Sequence, residues 1–197
     1  MKVLCIHLPY REDRKKTFEE GVGKNIPFEY LDAVDRNKQT LVSDYAECAG
    51  SLSCRASHAL AWCRCLFYGE NTLVFEDDVL TRTDFDSSIL STTVDSVTGN
   101  TVAFFDDRLS THAYVVTPES AMSMLDRHLR IVNPINQVQM SVDHRMRFMR
   151  KSGFIDISVV DGFSFYQHGL RKYSDNDWKC PLGLNKVIVQ PTSSNRK

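Results

Sequence analysis

No two cysteines in this chain have the C-x-x-C spacing: Cys5, Cys48, Cys54, Cys63, Cys65 and Cys180 are scattered along it. That excludes a zinc knuckle. The six read instead as small buried hydrophobes in a reducing compartment, not as a disulfide framework. Long apolar runs are also missing. Nothing approaches the ~18 residues of a membrane span, and the short apolar stretch Met1–Leu8 is cut off by Pro9-Tyr10-Arg11-Glu12-Asp13-Arg14, so no secretory signal is read. The expected location is cytoplasmic. Charge of one sign is lacking as well, since 24 Lys and Arg stand against 25 Asp and Glu for a net −1. No overall field marks nucleic acid or an anionic membrane as partner. Neither G-x-x-x-x-G-K-[ST] nor G-x-G-x-x-G occurs, so neither a P-loop nor the usual dinucleotide loop is supported. Internal repeats and low-complexity segments are absent too.

What is present is an ordinary globular composition, 42% apolar and 25% charged. At 197 residues the chain is about 1.3 times the ~150 residues of a typical domain. One domain over residues 1–189 is expected, followed by a polar stretch, 190–197, that is a frayed end or the start of a linker to further catalytic domains. Buried strands are expected at Val3–Leu8, Phe28–Leu31, Thr72–Phe75, Thr101–Phe105, Ala113–Val116, Ile155–Val160 and Phe163–Tyr166. Helices are expected over Arg14–Val22, Gln39–Cys48, from a Ser53 cap to Tyr68, from Thr117-Pro118 with a Met122/Leu125/Leu129 stripe, and from a Ser141 cap to Arg150. Strands alternating with helices indicate an α/β/α sandwich on a mostly parallel central sheet.

Open α/β sheets bind ligands at the carboxyl ends of their strands. Leu73-Val74-Phe75-Glu76-Asp77-Asp78 places three acids at such an end. Adjacent carboxylates repel one another unless a cation or water compensates, and a hard divalent metal uses one or two of them. If the backbone stays extended, Glu76 and Asp78 project to one side as candidate metal ligands and Asp77 to the other. A solvated acidic turn is the plain alternative. Arg11, Arg14, Lys15 and Lys16 follow the first strand and suit a diphosphate or a base, and Asp35 follows the second and suits a ribose hydroxyl. Within Gly50–His58, Arg55 lies in the first helical turn, while Ser57 and His58 point about 100° apart and so form no nucleophile pair. His58 reads as a satisfied core residue. Asp143 is an isolated acid at a helix start, either a general base or part of a surface row with Arg147 and Arg150. Asp106 and Asp107 are further strand-end acids, and His168 either completes a metal site or ends the sheet.

Taken in order, these segments resemble family 25 glycosyltransferases, the lipooligosaccharide and collagen galactosyltransferase group. Cys5-Ile6-His7-Leu8 with Arg11 and Arg14 resembles the family's opening strand and spaced arginines, and Ala33-Val34-Asp35 resembles its "AvD". Gly50–His58 resembles "G-E-x-G-C-x-x-S-H", Leu73–Val79 resembles "LxLEDDV", and His112–Val116 with Ser120-Ala121 and Val142-Asp143 resemble two later segments. Ser53 stands where the family has a glycine, and Arg36 follows Asp35 where glycine is usual. The short chain is also similar to compact glycosyltransferase modules of large chlorella viruses, for which the location would be the host cytosol. The resemblance implies a GT-A fold and an inverting transfer of a hexose from a nucleotide-diphosphate sugar, a UDP-sugar first, to a glycan or protein-linked glycan hydroxyl. It further implies Mn²⁺ or Mg²⁺ at Asp78, assisted by Glu76 and His168. Arg11, Arg14, Asp35 and Arg55 would hold the donor, Asp77 would contact its sugar at the reaction centre, and Asp143 would be the base. A divalent-metal phosphotransferase or nuclease, and a non-catalytic nucleotide- or glycan-binding module, are the other readings of the same residues.

Overall fold

The structure is a computed structural model describing residues 1–38, 49–81, 85–105, 109–129, 141–163 and 165–167. The strands are β1 (Lys2–His7), β2 (Glu29–Asp32), β3 (Thr72–Glu76), β4 (Val79–Thr81), β5 (Thr101–Phe104), β6 (Ala113–Val116), β7 (Asp156–Val159) and β8 (Phe165–Gln167). The helices are α1 (Glu12–Glu20), α2 (Ala49–Tyr68), α3 (Ser87–Ser96), α4 (Pro118–Leu129) and α5 (Val142–Lys151). Six strands form one sheet in the order β2-β1-β3-β6-β5-β7, and β4 pairs with β8 in a separate two-stranded sheet. Strand β1 lies parallel between β2 and β3, and β5 is parallel to β7. Within the six-stranded sheet only β6 runs against its neighbours, and β4 and β8 are antiparallel to each other. The expected mostly parallel sheet is therefore present, with one reversed strand.

Strand alternation divides the core between the two faces. Leu4, Ile6, Val74, Phe104 and Tyr114 point to one side, where Trp62 of α2, Met124 of α4 and Met146 of α5 cover them. Val3, Cys5, Leu73, Phe75 and Val115 point to the other, against Phe18 of α1, Leu90 and Val94 of α3, and Phe165 of β8. This is the α/β/α sandwich. Among the described residues, no helix is long and apolar enough to cross a membrane.

Several boundaries differ from expectation for local reasons. Helix α2 spans Ala49–Tyr68, so Ser53 sits one turn inside, not at the cap. The expected Gln39–Cys48 helix lies outside the described residues. The α4 start is as expected, with the Thr117 hydroxyl accepting from Ser120 N at 3.1 Å. Ala121 and Met124 face inward, the expected Leu125 packs partly against the same core, and the expected Met122 is exposed. Helix α3 escaped the pattern because it buries only Leu90 and Val94 in a Ser/Thr-rich segment; Asp86 caps it by accepting from Ser88 N at 2.7 Å. Of the described cysteines, all free, Cys5 and Cys65 are buried, Cys54 is half-buried and Cys63 is exposed.

Candidate active site

The carboxyl ends of β1, β2 and β3 and the first turns of α2 surround an open pocket. Ile6, Leu8, Ala33 and Val34 form its apolar part, and Tyr10, Arg14, Arg36, Ser53, His58 and the three acids its polar part. The backbone under the acids is pinned on both sides, because Glu76 N donates to His112 O (3.0 Å) and Asp77 N to Ile6 O (3.1 Å).

The three adjacent carboxylates are tolerated because each has its own surroundings. Glu76 turns toward α2, where its Oε1 accepts from His58 Nε2 at 3.2 Å and from the Thr111 hydroxyl at 2.7 Å. Burial works to raise the Glu76 carboxyl, but the His58 and Thr111 hydrogen bonds outweigh it and hold the group below the usual carboxylate range. Asp77 turns the other way and is buried, accepting from His7 Nδ1 at 2.9 Å and Arg14 Nη1 at 3.0 Å. Asp78 lines the pocket with its carboxylate 3.8 Å from Arg14.

Extended backbone ends at Glu76, and Asp77-Asp78 form a turn. The expected sharing of one side by Glu76 and Asp78 is thus corrected: Asp78 joins Asp77 at Arg14, and Glu76 is committed to an interior network. Among the described residues no group of three or more His, Cys, Asp or Glu is arranged to hold a metal. A hard cation that keeps water and phosphate oxygens needs only one or two carboxylates, and Asp78 at the pocket wall meets that requirement. His168, Asp106 and Asp107 lie outside the described residues.

The network continues past Glu76. Thr111 Oγ1 is 2.9 Å from Asp143 Oδ1, and His58 Nδ1 is 2.9 Å from the Tyr114 hydroxyl, which also accepts from Trp62 Nε1 at 3.1 Å. Ser141 caps α5 and so sets Asp143 in its first turn. Burial first, and the Glu76 charge second, push the Asp143 carboxyl above its ordinary value.

Other expected donor-binding residues are placed differently. Arg11 forks onto Asp13 at the start of α1 (2.9 and 2.7 Å) and is not part of the pocket wall. Asp35 accepts from Asn37 N at 2.9 Å, shaping the loop that carries Val34 and Arg36 to the wall. Arg55 is buried away from the pocket, near enough to Arg145 that its charge, after desolvation, helps lower Arg145 to about 10. Ser57 ties α2 to the β2 end, accepting from Val34 N at 2.8 Å and donating to Ser53 O at 2.7 Å. Sequence reasoning missed His7, Thr111 and Tyr114. Their roles come from strand register, which sets Ile6 beside Glu76 and Ala113 beside Phe75.

Residues 1–107, just over half the chain, match the sequence model of glycosyltransferase family 25, described as LPS biosynthesis proteins. The chain belongs to glycosyltransferase family 25. Every residue of the pocket wall falls inside that match, and Asp143 falls outside it. Among solved structures, this glycosyltransferase is similar to one "involved in the glycosylation of the major capsid of PBCV-1". The two are 15% identical, with a TM-score of 0.50 and 81% of each chain covered. That likeness concerns the fold. It is also matched to the apo form of GlyE from Streptococcus pneumoniae TIGR4, at 8% identity and a TM-score of 0.47, over 79% of this chain and 44% of that one. No curated protein sequence matches the chain.

Proposed function

We propose that the pocket binds a nucleotide-diphosphate sugar, a UDP-hexose first, and that the hexose passes with inversion to a hydroxyl of a glycan or protein-linked glycan. The observation that carries this reading is the placement of Asp78 and Arg14 together in the wall of a pocket at the ends of parallel strands, in a family 25 chain. Asp78 would hold Mn²⁺ or Mg²⁺. When bound, that cation supplies charge stabilisation for the departing diphosphate. Arg14, fixed by Asp77, adds a cation on the same side. Leu8, Ala33 and Val34 offer the base an apolar surface, and the exposed Tyr10 ring borders it.

Asp77 acts by holding Arg14 and His7 in place, so we assign it to positioning and not to direct sugar contact. Asp143 is the base. It takes the acceptor hydroxyl's proton as the acceptor oxygen bonds to the anomeric carbon, and the bond to the phosphate oxygen breaks with its electron pair leaving on the diphosphate. A carboxyl raised toward the working pH is the better proton acceptor for that step. Nucleoside diphosphate release from a panel of nucleotide-sugars, with and without acceptor, tests the reading. Release from none of them removes it.

A further inference from the structure

We infer that the Ser53 hydroxyl selects the base of the donor nucleotide. It does so within the nucleotide-sugar reading of the pocket, on which this proposal rests. Ser53 is 5% exposed, and its Oγ is buried with no hydrogen-bond partner among the described residues. A serine inside a helix ordinarily bonds back to a carbonyl one turn earlier or points to water, and Ser53 does neither. Ser57, one turn further along α2, shows the contrast: its hydroxyl donates to Ser53 O and accepts from Val34 N. A buried hydroxyl left unpaired is costly. Because Ser53 lines the pocket, a ligand bound there can supply the missing partner.

Position says which part of the ligand that is. In the strand order β2-β1-β3, Ala33 and Val34 follow β2, Leu8 follows β1 and Asp78 follows β3. Two inter-strand spacings, roughly 10 Å, therefore separate the charged end of the pocket from its apolar end. Ser53 belongs to the apolar end, since the Ser57 hydroxyl links its carbonyl to Val34 N, and Ala33 N is itself held by His7 O. A diphosphate at Asp78 and Arg14 sends its nucleoside across Leu8 toward Ala33, Val34 and Ser53, while the hexose is bonded to the far phosphate and does not reach this end.

The faces of a base are apolar and its edge carries the hydrogen-bonding groups. Ile6, Leu8, Ala33 and Val34 offer surface for the faces, and a turn of χ1 between staggered wells presents the Ser53 oxygen to the edge. A site that hydrogen-bonds a substrate group rejects the analogue lacking it, because its own buried group is then left unpaired. Glycine stands at this place in the family pattern that Gly50–His58 resembles, so the hydroxyl, and the selection it makes, are features of this chain.

The test is calorimetric binding of UDP, CDP, ADP and GDP, each with Mn²⁺, to the wild type and to Ser53→Ala. The wild type is expected to prefer one base. The variant should bind that nucleotide about tenfold more weakly and the others nearly as before, so that the preference narrows. The 2′-deoxy form of the preferred nucleotide should be weakened by Ser53→Ala by the same factor. An equal loss for all four nucleotides, or a loss that vanishes with the 2′-deoxy form, places the hydroxyl at the ribose and overturns the proposal. A wild type without base preference, or a variant with unchanged affinities, overturns it too. Should Ser53→Ala fail to fold, Ser53→Gly, the residue of the family pattern, is read in the same way. Wild-type protein that binds none of the four nucleotides refutes the nucleotide-sugar reading itself, a result distinct from failure at Ser53 alone.

Discussion

Replacing Asp77 by alanine removes the carboxylate that ties β3 to both β1 and α1. Asp77 and His7 are each 4% exposed, and the Arg14 side chain is 12% exposed. Their contacts with Asp77 are 2.9 and 3.0 Å. The substitution strands a nearly buried guanidinium and a buried imidazole together. Breaking one side of such a pair costs roughly 3–5 kcal/mol. The lower end is expected here, because Arg14 keeps Asp78 at 3.8 Å and some contact with water. At about 2–4 °C per kcal/mol for a chain of this size, Asp77→Ala should melt about 6–12 °C lower. Asp77→Asn retains the volume and one acceptor oxygen and should lose less. Thermal melts and urea titrations of both variants check this, with nucleotide affinity measured well below the lower melting point. Wild-type stability in Asp77→Ala would refute the keystone role and return Asp77 to the donor sugar as a direct contact.

Asp143→Asn should lower kcat by about 10²–10⁴-fold while calorimetry shows unchanged nucleotide affinity; an unchanged rate would leave Asp143 a structural residue of α5. Ser53 is buried at the pocket wall, and its Oγ has no hydrogen-bond partner among the described residues, so Ser53→Ala should raise donor KM by roughly tenfold, about the worth of one hydrogen bond, and leave the melting temperature nearly unchanged. Gly69 ends α2 at φ +67° with open space around its Cβ position, so Gly69→Ala should cost about 1–2 kcal/mol in a denaturant titration from backbone strain alone. The Glu76 carboxyl is held below its ordinary 4.5 in the fold, so the stability it contributes is fully present above that value and is lost as pH falls toward the depressed one. Unfolding free energy measured against pH should show that acid loss in the wild type and much less of it in Glu76→Gln.

The layers of the fold were readable because the strands have strong, short apolar runs. Val3–Leu8, Thr72–Phe75 and Ala113–Val116 all became strands, and Thr117-Pro118 opened α4. Weak periodicity hid the rest: β4 has three residues, and α3 shows the core only two side chains. At the site, the acidic triplet and Arg14 were visible as a cluster at a strand end, but the direction of each carboxylate was not. That direction depends on where extended backbone stops, after Glu76, and on partners far away in sequence such as His7 and Thr111. Arg11, Arg14 and Asp35 looked equivalent as donor-binding candidates. Local hydrogen bonds to Asp13 and Asn37 separate Arg11 and Asp35 from Arg14. His58 reads as a satisfied core residue, and it is one, since both ring nitrogens are bonded; its partners nonetheless place it in the network that reaches Asp143 through Glu76 and Thr111.

Metal-assisted transfer from a nucleotide-sugar at Asp78 and its pocket can be tested directly. Nucleoside diphosphate release should be measured for the wild type with Mn²⁺, for the wild type with EDTA, and for Asp78→Ala. Acceptor-dependent release is expected in the first case and loss by about 10²-fold or more in the other two, with an unchanged melting temperature for the variant. Full turnover in chelator, or in Asp78→Ala, would contradict it.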